Sequence, residues 1–288
     1  MVASIRNPIE WGMDQLGRAG QHAEDIGHTL HGDGDIAETR LPEIADLRRG
    51  DLRDALRRGW QDMQANRTDA LFLCLIYPIA GMIMVHAAFN YAMLPLLFPI
   101  ASGFALIGPV AAIGLYEMSR RREAGQETTW ADALGTIRSP AFGGVLALGL
   151  VLFAIFIAWL GAAHLIYNAT LGPEPPASIA AFIGDVFGTR AGWTMAIAGA
   201  GAGFLFALVV LTIGIVSFPI MLDRNIGVIG AMLTSMRVVQ RNPIAAARWG
   251  IIVAGLLAIA SVPAFLGHII VMPLLGHATW HLYRKAVL

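Results

Sequence analysis

A single cysteine, Cys74, stands among 288 residues, so the chain has neither an internal disulfide nor a CxxC metal or redox pair. It lies inside an apolar run, where a small buried hydrophobe is the ordinary reading. Charge is also scarce, at 14% of residues against about 25% in an average soluble domain. The net charge is zero, which leaves no basic field for nucleic acid. Walker loops, HExxH and GxSxG motifs and paired carboxylates within the apolar runs are all absent. The chain is therefore not expected to be an enzyme, and no catalytic residue or cofactor is assigned. Every Asp and Glu falls at or outside the end of an apolar run, which argues against a proton-coupled carrier. The first 69 residues hold no apolar h-region, so the first span is expected to act as an uncleaved insertion signal.

What the chain has in abundance is long apolar sequence, 56% of residues being hydrophobic. A bilayer core of about 30 Å takes roughly 20 helical residues. Runs of that length place spans at about 70–89, 93–118, 141–167, 193–222, 245–262 and 264–283, with Pro263 dividing the last two. Gly172 to Gly192, with its proline cluster and scattered charges, reads as a loop. Charge tests this reading independently. Nine Lys and Arg precede the first span, four lie between the second and third, four fall from Arg224 to Arg248 and two close the chain. Arg190 alone falls on the opposite side, as the positive-inside rule requires of six spans with both termini cytoplasmic. The expected fold is thus an all-α membrane protein of six transmembrane helices in three hairpins, each hairpin preceded by an amphipathic cytoplasmic helix. A polar N-terminal segment, 1–42, would precede a membrane domain at 43–288.

The amphipathic helices are read from Leu47, Leu52, Leu56, Trp60 and Met63, from Trp130, Leu134 and Ile137, and from Ile226, Ile229, Met232, Leu233, Met236 and Val239. Trp60, Trp130, Tyr116 and Trp280 are expected at the membrane interface, with Arg57, Arg58, Arg120 and Arg284 toward anionic headgroups. Pro109 and Pro273 are each followed at plus seven by an aromatic residue, Tyr116 and Trp280, and at plus eleven by Arg120 and Arg284, which suggests pseudo-repeats. Gly199 and Gly203 have the GxxxG spacing of close helix packing.

Histidines form the one constellation with metal chemistry in reach. His86, His164 and His268 fall at one depth near the outer ends of their spans and could coordinate copper or zinc. Hydrogen bonds to water or backbone are the favoured account, and no metal is assigned. His277 and His281, spaced i, i+4, could offer nitrogen to a haem, but an interfacial anchor cluster around Trp280 is favoured.

At Phe98-Pro-Ile-Ala-Ser-Gly-Phe-Ala-Leu-Ile-Gly-Pro109, Gly114-Leu-Tyr-Glu-Met-Ser-Arg-Arg-Arg-Glu123, Pro219-Ile-Met-Leu-Asp223 and Pro273-Leu-Leu-Gly-His-Ala-Thr-Trp-His-Leu-Tyr283, the chain resembles a bacterial, mainly alphaproteobacterial, family of uncharacterised integral membrane proteins. Some members are labelled cytochrome c oxidase subunits. The resemblance implies a bacterial inner-membrane protein with a loose respiratory association. A catalytic oxidase subunit is excluded, because eight histidines, three of them in the polar N-terminal segment, are too few at mid-membrane depth for two haems and a copper. The functional expectation is an accessory or assembly protein docking beside a larger membrane complex, for which the resemblance suggests a respiratory one. A small-solute transporter or channel is the alternative, and a copper or haem handling protein the third.

Overall fold

The structure is a computed structural model. It describes residues 41–65, 79, 91–102, 112–126, 136, 139, 141–224, 226–263 and 265–288. The expected first span apart from Ile79, the amphipathic segment around Trp130, His86 and the 1–40 portion of the polar segment lie outside the described residues.

The described residues form helices joined by short turns, with no strand among them beyond one isolated bridge. In chain order the helices are α1 (Arg49–Ala65), α2 (Ile113–Glu123), α3 (Ala141–Asn168), α4 (Ile179–Gly188), α5 (Arg190–Gly214), α6 (Ser217–Asp223), α7 (Gly227–Arg241), α8 (Pro243–Ser261) and α9 (His268–Ala286). A 3-10 turn, Tyr91–Leu96, leads into helix at 97–102. Three stretches, Ala141–Asn168, Arg190–Asp223 and Pro243–Ser261, are long and apolar enough to cross a membrane. Only 22%, 44% and 17% of their most apolar windows are buried within the protein, so most of that apolar surface needs lipid or another chain around it.

Two of the expected segment boundaries change. The segment 172–192 is not all loop, because Ser178 accepts a hydrogen bond from the Ala181 amide and so caps α4 immediately beyond the prolines. The Ile-Ala-Ala-Phe-Ile run that follows carries no breaker. The expected 193–222 helix is interrupted at Ile215 and Val216, after which α6 runs on to Asp223. Ser217 fixes that break by donating to the carbonyls of Ile213 and Ala231. Between α8 and α9 the chain turns where Pro263 predicts. Phe265 takes φ of 65° there, and a side chain on Gly267 would stand 2.6 Å from the Ala260 Cα.

The core lies at one end of the molecule, where α1, α2, α6, α7 and α9 meet. Leu115, Met118, Phe218, Ala231, Val238, Trp280 and Leu282 are fully or almost fully buried there. The most extensive packing is between α1 and α9. It is close because the helices meet at small residues: a Cβ on Gly59 would lie 2.6 Å from the Ala278 amide nitrogen. Just before α1 the chain pairs with the residues after α9. Ile44 and Val287 form an antiparallel bridge, the Ala45 amide donates to the Ala286 carbonyl and the Leu288 amide to that of Glu43. Asn242 secures the same strap, accepting from the Leu47 amide at 2.7 Å and donating to the Ala45 carbonyl at 2.9 Å.

The amphipathic faces are rotated from those the sequence suggests. On α1 the buried positions are Leu52, Ala55, Gly59, Asp62 and Met63, while Trp60 is 44% exposed. On α7 they are Val228, Gly230, Ala231, Thr234, Ser235 and Val238, leaving Ile229, Met232, Leu233 and Met236 half-buried. In both helices the side that packs on protein is the one whose small side chains permit close approach, and larger apolar residues lie outside it.

Candidate functional site

Four polar side chains from three helices are sequestered together at the α1–α2–α9 junction. Asp62 comes from α1, Ser119 from α2, and His277 and His281 from α9; all four are buried. The Ser119 hydroxyl donates to Asp62 Oδ2 at 2.6 Å, and the same oxygen lies 2.8 Å from His277 Nδ1. His281 Nε2 reaches Asp62 Oδ2 at 2.8 Å, and Arg122 Nε is 3.3 Å from Oδ1. Burial would push the Asp62 carboxyl up, but hydrogen bonds from His281 and Ser119, together with the charge interactions of the two imidazoles, hold it below the usual carboxylate range.

Proton counting fixes the order of this chain. An ionised Asp62 only accepts, and Ser119 has one proton, which it gives to Asp62. His277 must therefore donate from Nδ1 to the Ser119 oxygen. In the neutral ring Nε2 then carries the lone pair. The direction of donation is His277 to Ser119 to Asp62, with His281 donating from the other side. In an activated serine the imidazole takes the hydroxyl proton; here the hydroxyl links a donor to a carboxylate.

Above this chain opens a cavity of about 410 Å³, lined by Arg57, Arg58, Gln61, Arg122, Glu123 and His281, with Asp62 and Ser119 the most buried of its walls. A second polar group adjoins it. Glu123 accepts from Trp280 Nε1 at 3.0 Å and from Arg284 Nε at 3.3 Å, while Asp223 accepts from the Tyr283 hydroxyl at 2.5 Å and lies 3.4 Å from Arg284. Three of the four stretches that carry the family resemblance, 114–123, 219–223 and 273–283, thus meet in one polar layer.

The residues singled out from sequence fall into different places. Tyr116 and Trp280, expected at the membrane interface, are buried within the protein at 3% and 1% exposure. Trp60 is on the surface. Arg57 and Arg58 both pair with Asp54, Arg120 makes two bonds to the buried Glu117 at 2.7 and 2.8 Å, and Arg284 holds Glu123 and Asp223. Trp130 lies outside the described residues. His277 and His281 are brought together by the Asp62–Ser119 pair. Of the outer histidines, His164 is exposed and bonded to Asn168 at 3.0 Å. His268 is buried against the Phe265 ring and its carbonyl. Among the described residues no three His, Cys, Asp or Glu side chains are grouped to hold a metal ion.

Asp62, Ser119, Glu123 and Asp223 are the site residues that sequence reading missed. The one signal was Asp62 itself, a carboxylate one position before Met63, which the sequence places on the apolar face of that helix.

No curated protein and no solved structure matches the chain. Residues 97–223, which include α2, α3, α4, α5 and α6, match the family described as predicted integral membrane protein (DUF2189). Over that stretch the chain is similar to this family, and three helices long and apolar enough to cross a bilayer agree with the family's description as an integral membrane protein.

Proposed function

We propose that the protein is an accessory or assembly protein of the bacterial inner membrane, docking beside a larger membrane complex without catalysis of its own. The resemblance noted in the sequence favours a respiratory complex. In this reading six spans form three hairpins, an amphipathic helix precedes each, and both termini are cytoplasmic. The 19 to 1 division of Lys and Arg supports that topology.

The observation that carries the docking reading is the contrast between the two ends of the molecule. The polar layer spends its charges on one another, whereas among the described residues nothing covers apolar faces of α3, α5 and α8 that include Gly161, Gly199, Gly201 and Gly255, each without a neighbour where a side chain would project. Small residues on a membrane helix let another backbone approach closely. Gly203 shows the effect within the chain, since its missing Cβ would stand 3.2 Å from the Trp159 ring.

Purification of the tagged protein from native membranes in mild detergent, followed by mass spectrometry, tests the proposal. A stoichiometric membrane-protein partner is expected, and Gly199→Leu should release it without altering the melting temperature of the isolated chain. Recovery of the chain with lipid alone would overturn the reading.

A further inference from the structure

A second cavity, of about 230 Å³, lies where the start of α1 meets the start of α8, away from the polar layer. Its walls are Arg48, Arg49 and Arg248 with Leu47, Leu52, Ile244 and Ala245. The lining differs in kind from that of the larger cavity, because it holds three guanidinium groups and no carboxylate. The side chains of Arg57, Arg58, Arg120, Arg122, Arg241 and Arg284 are each held by an acid, whereas those of Arg48, Arg49 and Arg248 have no hydrogen bond or ion pair among the described residues. Each guanidinium carries five N–H donors in a planar fork suited to phosphate. The rest of the lining is apolar.

The cavity also has a direction. Ile244, Arg248, Ile251, Gly255, Ile259 and Val262 follow one another at spacings of three or four residues and so share one face of α8. All six are exposed, Ile251 at 72% and Val262 at 84%. At 1.5 Å per residue the apolar part of this stripe, from Ile251 to Val262, rises about 16 Å, close to one leaflet of a bilayer core of about 30 Å. Cations at the foot of an uncovered apolar stripe on a membrane-spanning helix match the form of one ligand class, an anionic headgroup carrying acyl chains.

We propose that Arg48, Arg49 and Arg248 bind the phosphate of an anionic phospholipid whose acyl chains lie along the Ile251–Ile259 face of α8. The lipid thereby joins α1 to the membrane-spanning part of the molecule. This assignment rests on α8 crossing the bilayer and is independent of any protein partner, so the isolated protein tests it separately from co-purification.

The experiment is native mass spectrometry of the full-length protein in detergent, titrated with dioleoyl phosphatidylglycerol, with dioleoyl phosphatidylcholine and with inorganic phosphate. Retention of phosphatidylglycerol in preference to phosphatidylcholine is expected. Arg248→Gln should weaken it about fivefold, and Arg48→Gln with Arg49→Gln by more, following about 1 kcal/mol per cation at an anionic surface. These side chains hold nothing in place, so the variants should melt with the parent. Arg57→Gln with Arg58→Gln, at the other cavity, should leave retention unchanged. Equal retention by all variants, absence of headgroup preference, or displacement of the lipid by millimolar inorganic phosphate would each overturn the assignment, the last by showing a free-phosphate site.

Discussion

At the scale of single residues, Asp62 concentrates the most interactions. It receives Ser119, His281 and Arg122 at the buried floor of the polar cavity. Removing one member of such a group leaves the others buried and unpaired, which costs about 3 kcal/mol or more. Asp62→Ala should lower the melting temperature sharply in detergent, and Asp62→Asn less, because the amide still accepts one hydrogen bond. The pH dependence follows from the sign of the shift. The carboxyl ionises more readily folded than unfolded, so its stabilisation is complete above the unfolded value of about 3.9 and is lost as pH falls through the lower folded value. Between pH 5 and pH 3 the parent should lose more stability than Asp62→Asn; parallel melting curves would place the acid sensitivity elsewhere. Asp54 adds a smaller component of the same sign. Lys285 leads the groups that hold its carboxyl down to about 2, and its exposure limits the effect.

Glycine gives a second contrast at this scale. Gly59 sits against the backbone of Ala278 and Gly199 faces open space. Gly59→Val should cost about 1–3 kcal/mol through overpacking. The open position tolerates a large residue, and only a partner would register it.

At the scale of elements, the α1 face decides what can be changed. Leu52 is buried at 5% exposure and Trp60 is not. Leu52→Asp should therefore expose the arginines of α1 to trypsin, and Trp60→Asp should leave cleavage between Leu47 and Asn66 at the parental rate. Equal protection of both variants would mean that α1 is not anchored through the face it presents to α9.

Helix boundaries were largely legible in the amino acids. Absence of charge places α3 to within a residue or two, and Pro263 places the turn between α8 and α9. Helix α4 was obscured because three prolines and a glycine within five residues dominate the local signal, although the capping serine and apolar run follow directly. The faces of α1 and α7 were obscured for another reason: a count of hydrophobic residues favours the large ones, whereas tight helix contact selects glycine, alanine and serine. The polar layer was not legible at all. Its members stand 57, 158 and 219 positions apart, and only the fold brings them to one place.

At the scale of the whole molecule, an open, apolar, small-residue-rich set of helices is joined to a compact polar end. The proposed topology makes that end cytoplasmic. In a variant whose own Cys74 is replaced by alanine, a cysteine at Ala177 should label from the periplasmic side and one at Gln126 should not. The reverse pattern would invert the molecule and move the arginine-lined cavities to the other leaflet.

The pairing of α1 with α9 also sets a timetable. Asp62 and His281 are separated by 219 positions, and at roughly 5–20 residues per second a ribosome takes about 10–45 s to make the second after the first. During that interval α1 has no α9 to lie against, and its buried aspartate has no histidine. The helix must wait elsewhere, and its arginines and apolar residues suit it to the surface of the bilayer into which the rest of the chain is being inserted. Closure of the polar end is therefore a late event in biogenesis, and a substitution in α9 that slows it would lengthen the exposure of α1 to proteases even where the finished protein is fully stable.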